Sequence, residues 1–190
     1  MSLGGYTAIY AAQKYPNMIG EGGLFVSGCE KPWGKSGSWK TWSYGLAMTF
    51  SAWIFTHIPE SWFGWVKAKT GLKVSEELYT DMKAAATIRM GQIVMNGIAE
   101  DLDPAETRGW VGRFENTKTR TCIVAGILDD NEKACLERGK QLKKANADSM
   151  AFKVEGKRHA WDCQDPELFA RGIKSWMDGE EMPEEFLALD

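Results

Sequence analysis

An α/β fold, with a parallel sheet covered by helices and interrupted by an all-helical insertion, is predicted by three features of this 190-residue sequence. Leu24-Phe25-Val26, Thr121–Gly126 and Ser149–Val154 are short apolar runs of the kind found in strands covered on both faces. Helical patterns accompany these runs on either side of the insertion, and strand–helix alternation of this kind signals a parallel sheet with helices on its faces. Between them, residues 31–117 show almost no strand pattern, which marks the insertion.

The elements follow in order. A helix is expected over 3–15, ended by the Pro16-Asn17 turn, and a strand over Leu24-Phe25-Val26; together these make a first core segment, 1–30. In the insertion, 31–117, Gly, Ser and Trp dominate 33–45, and six of the nine tryptophans fall in 33–65. A largely apolar segment runs to Ile58. A helical pattern then spans about 75–97, through Val74, Leu78, Met82, Ala85, Ile88 and Ile93. Another lies around 104–111, where Asp103 as N-cap and Pro104 at the first helical position make a start signal. The third segment, 118–190, holds the strands at 121–126 and 149–154 and a helix over 131–144. Its final helix is opened by Asp165-Pro166-Glu167, presents Leu168, Phe169, Ile173, Trp176 and Met177 on one apolar face, and stops at Gly179. The acidic tail beyond is expected to be solvated.

Composition excludes several classes. A net charge of −3 with scattered basic residues argues against nucleic acid as a partner. Four widely spaced cysteines, Cys29, Cys122, Cys135 and Cys163, form neither a zinc pattern nor a dense disulfide framework. Buried free thiols in a reducing, cytoplasmic setting are the expectation. No cationic run followed by an apolar stretch opens the given sequence, so no signal peptide is expected in it. The longest apolar stretch, Gly45 to Ile58, is about 14 residues and falls short of the roughly 20 of a transmembrane segment. Oligomeric state is not legible.

The start, Met1-Ser2-Leu3-Gly4-Gly5, opens a helix. With one glycine placed before Met1 it reads G-x-S-x-G-G, the turn that presents a nucleophilic serine. A serine hydroxyl needs a base, and the base needs an acid to fix its tautomer. His159 lies between the last strand and the last helix, where such a base belongs. His57 lies among apolar residues of the insertion and reads as a packing histidine. The acid is expected just past the strand 121–126, in Gly126-Ile-Leu-Asp129-Asp130. Asp129 is preferred over Asp130, with Glu30 a third candidate. One of the aspartate pair is expected to cap the following helix, leaving the other for chemistry.

In these three motifs, M-S-L-G-G, A-G-I-L-D and H-A-W-D-C-Q-D-P-E-L-F, the sequence resembles the C-terminal part of an α/β-hydrolase, starting at the nucleophile elbow. The resemblance spans nearly the whole chain, by motif in the core and by position alone in the insertion, which corresponds to a helical cap. It implies Ser2 as nucleophile, His159 as general base and then acid, Asp129 as the acid orienting it, and the Leu3 N–H as half of the oxyanion hole. It implies no cofactor and no metal. The substrate would be a small acyl compound, with the tryptophan-rich cap favouring a lipophilic ester. The elbow glycine and the strand entering it are missing from the match, so the chain is expected to begin inside a domain and to fold and hydrolyse poorly by itself. The alternatives are a non-catalytic ligand-binding relative or an inactive truncated product. A further one is Ser2 acting as an N-terminal nucleophile once Met1 is removed.

Overall fold

The computed structural model of the chain describes residues 3–29, 39–57, 59–77, 79–80 and 114–190. Ser2, Glu30, most of the expected 75–97 helix and the whole expected 104–111 helix lie outside these residues. The described elements in chain order are α1 (Leu3–Lys14), β1 (Leu24–Ser27), α2 (Trp39–His57), α3 (Glu60–Thr70), β2 (Thr121–Gly126), α4 (Glu132–Ala145), β3 (Met150–Val154), the single turn α5 (Trp161–Gln164), α6 (Pro166–Asp178) and β4 (Phe186–Ala188).

The sheet order is β1-β2-β3-β4. The first three strands are parallel, with Val26 beside Ile123 and Ile123 beside Ala151. This is the general α/β class the sequence predicts. Alternation across the sheet sorts the apolar side chains into two cores. On one face Val26, Ile123, Ala125 and Ala151 pack with Tyr6 and Ile9 of α1 and with Cys135 and Leu142 of α4. On the other, Val124, Phe152 and Val154 pack with Trp161, with Leu168 and Trp176 of α6, and with Phe186. Every residue of β2 is buried, as an unbroken apolar run with helices on both sides requires.

The acidic stretch 180–185 is mostly exposed, as expected of a solvated tail, but the chain after it returns to the sheet as the fourth strand. Phe186 is buried and pairs with Val154 in antiparallel register. Its ring meets Phe25, Phe152 and Trp161 edge-on and lies over Gly172 of α6, where any Cβ would overlap it. One apolar anchor in an acidic segment thus covers the outer edge of β3, which would otherwise expose unpaired backbone groups.

Between β1 and β2, the described residues include α2 and α3 and no strand. The segment after α3 docks by Val74 and Tyr79 onto Leu72 and Cys163, and the Lys73 N–H donates to the Cys163 carbonyl at 2.6 Å. No helix among the described residues is long and apolar enough to cross a membrane.

Candidate active site

The turn after β2 and the loop after β3 meet at the carboxyl ends of the parallel strands, the edge where open α/β sheets bind ligands. The two connections are joined through their backbones. The Ile127 N–H donates to the Val154 carbonyl at 3.3 Å and the Leu128 N–H to the Lys157 carbonyl at 2.9 Å. The β2 turn closes on itself: the N–H groups of Asp129 and Asp130 both donate to the Gly126 carbonyl, at 3.2 and 3.0 Å. In return the Gly126 N–H donates to Oδ2 of Asp130 at 3.0 Å.

This closure separates the roles of two adjacent aspartates. The sequence reading prefers Asp129 for the imidazole, whereas in the structure Asp130 Oδ1 lies 2.6 Å from His159 Nδ1. The Asp130 side chain is only 4% exposed, against 39% for Asp129. Asp129 serves the loop backbone instead: Oδ2 accepts the His159 N–H at 3.3 Å and Oδ1 accepts Arg158 Nη1 at 3.1 Å. Neither aspartate caps α4, which corrects the capping expectation. That position is held by Asn131, whose Oδ1 accepts the Ala134 N–H at 3.1 Å.

With the Asp130 carboxylate ionised, Nδ1 of His159 is the donor and Nε2 keeps its lone pair, the tautomer a general base requires. The ring rests against the end of β1. Gly28 has φ 66°, and a Cβ on it would overlap the imidazole at Cε1. Both facts call for glycine there. One residue earlier, the buried Ser27 hydroxyl accepts the indole N–H of Trp161 at 2.7 Å. Two residues past His159, this bond ties the loop to β1. Below it, Gln164 accepts the Arg158 N–H and donates to the Gly156 carbonyl. The Lys157 ammonium reaches Asp165 at 2.6 Å.

The first turn of α1 lies at the same end of the sheet. Gly5 packs so closely on Cys29 and Val26 that a Cβ would overlap the Cys29 sulfur. The start of α1 therefore sits beside the residues that follow β1, one of which, Gly28, carries the His159 ring. Leu3 is the first residue of α1. His57 is not packed as expected: it is exposed at the end of α2, with Nδ1 at 2.8 Å from the Trp53 carbonyl and its ring stacked on the Trp53 indole. Among the described residues, no three His, Cys, Asp or Glu side chains cluster in a way that would hold a metal ion.

Sequence reasoning missed the Trp161–Ser27 bond and the loop-holding role of Asp129. A tryptophan two residues from the candidate base, and a serine closing an apolar strand, are visible in sequence. Their partnership across 134 residues is not. No protein-family model, curated protein or solved structure matches the chain.

Proposed function

We propose that the protein is a serine hydrolase of the α/β class acting on small or lipophilic esters, with Ser2 as nucleophile, His159 as base and Asp130 as the acid that orients it. The observation carrying this reading is the 2.6 Å pair between His159 Nδ1 and the buried Asp130 carboxylate at the carboxyl edge of the sheet. Supporting it is the start of α1 at that same edge, since Ser2 immediately precedes Leu3 in the chain.

The chemistry follows from the groups. Nε2 of His159 takes the serine proton as Oγ bonds to the ester carbonyl carbon. The carbonyl π electrons move onto oxygen. The resulting oxyanion is stabilised by the Leu3 N–H and the positive end of the α1 dipole. As the oxyanion collapses, the bond to the alcohol breaks and the imidazolium returns the proton to the leaving oxygen. Water then repeats the sequence on the acyl-enzyme, releasing the acid. Asp130 stays ionised throughout and stabilises the imidazolium.

The test is p-nitrophenyl ester turnover and fluorophosphonate labelling by the wild type, Ser2→Ala and His159→Ala. Turnover should fall by about 10³-fold or more in each variant, and the label should map to Ser2. Undiminished turnover in both variants would sink the mechanism. Binding of an ester analogue by the wild type with no labelling would favour a ligand-binding protein without catalysis.

A further inference from the structure

Helix α2 presents an aromatic face to solvent. Trp39, Trp42, Leu46, Phe50, Trp53 and Ile54 are between 41% and 75% exposed. At about 100° per residue they share an arc of roughly 120° along a helix about 28 Å long. The rings stack along the face, Trp39 on Trp42 at 5.0 Å and Phe50 on Trp53 at 6.1 Å between centroids. Two more indoles, Trp62 and Trp65, are each 65% exposed on α3. Half-exposed side chains of this size leave an apolar patch of several hundred Å², large enough to mark an interaction site.

Charge identifies what fits the patch. Residues 39–73 carry four lysines (Lys40, Lys67, Lys69 and Lys73) and one acid, Glu60, a net charge of +3. The whole chain is −3, so the remainder is −6. From residue 39 to 59 there is no Asp or Glu. An exposed aromatic helix face in a segment with three more lysines than acids suits an occupant that is apolar within and anionic at its boundary. A second copy paired face to face would bring like charge against like charge. Indoles belong at the junction of acyl chains and headgroups, and helices that lie in that plane combine Trp, Phe and Leu with lysine.

We propose that the outward face of α2, with the tryptophans and lysines of α3, docks the protein peripherally on the surface of an anionic phospholipid bilayer. The aromatic rings enter the headgroup–acyl boundary and the lysines pair with lipid phosphates. Lys69 of α3 and Lys73, just beyond it, are exposed, and no described helix is long and apolar enough to cross a membrane. Docking is independent of the hydrolase reading, because it is read by binding and not by turnover.

The test is co-sedimentation of the full chain with vesicles of phosphatidylcholine, with and without phosphatidylglycerol. It is paired with quenching of tryptophan fluorescence by brominated lipid. Wild-type protein should bind the anionic vesicles and be quenched by the brominated chains, and rising salt should release it. Lys69→Gln combined with Lys73→Gln should weaken binding by about 30-fold. Trp39→Ser with Trp42→Ser should reduce quenching, with Trp53 of α2 and the indoles of α3 keeping the rest, while far-UV circular dichroism stays unchanged. Failure of the wild type to bind either vesicle overturns the proposal without using any variant. So does concentration-dependent self-association that shields the indoles from acrylamide, which would make a second copy the occupant.

Discussion

At the scale of the residue, adjacent carboxylates at one strand end have unlike environments. Asp130 is folded under the turn by the Gly126 N–H and reaches the imidazole, while the half-exposed Asp129 holds the Arg158 guanidinium and the loop backbone. Replacing each by asparagine separates them. Asp130→Asn should lower kcat for an ester by about 10³–10⁴-fold, because an amide at Nδ1 neither fixes the base tautomer nor stabilises the imidazolium. Asp129→Asn keeps an acceptor for the His159 N–H and should cost less than about tenfold. Steady-state kinetics of the two variants at one pH decides between them. The reverse ranking would return the acid to Asp129.

At the scale of the element, α6 begins as its sequence predicts. Asp165 Oδ1 accepts the Leu168 N–H at 3.2 Å, Pro166 follows, and Gly179 ends the helix at φ 71°. The cap also anchors the loop that carries His159, since Lys157 is two residues before it. The hydrogen bond from Lys157 is the main influence lowering the Asp165 pKa below its usual 3.8, with help from the Leu168 N–H. A carboxyl whose pKa is lower folded than unfolded contributes stability above the unfolded value and loses it as pH falls through the folded one. Asp165→Asn keeps the cap and loses the ion pair. It should therefore melt below wild type at neutral pH, by the equivalent of about 0.5–1 kcal/mol for a partly exposed pair. The gap should close as the pH drops below about 3.8. Thermal melts across that range give the comparison.

At the scale of the molecule, the two cores on either side of the sheet fix the state of the cysteines. All four are free thiols, and Cys29, Cys122 and Cys135 are buried. Burial, with Cys135 adding to it, pushes the Cys122 thiol well above its usual value. Cys163 is partly exposed, and burial and the neighbouring Asp162 raise its pKa too. Native protein should therefore react slowly with a thiol reagent at Cys163 alone, faster as pH rises, and four thiols should titrate once denaturant opens the cores. Mass mapping of the labelled peptide checks this. Rapid labelling of Cys122 in the native state would contradict the two-core packing. The same layered design sets the aromatic face of α2 apart, as it belongs to neither core.

The sequence by itself determined the strand runs, their alternation with helices, the cap of α6 and the position of His159 at a strand-to-helix loop. These are encoded by local period, apolar continuity and capping chemistry, which need only neighbouring residues. Only the tertiary structure decided which aspartate meets the imidazole, that Asn131 caps α4, that Trp161 holds Ser27, and that Phe186 brings the tail into the sheet. Each depends on groups far apart in the chain: 29 residues separate His159 from Asp130, and 134 separate Trp161 from Ser27. Two neighbouring acids have the same local chemistry, so the choice between them falls to the turn that buries one and to the loop that arrives from the next strand.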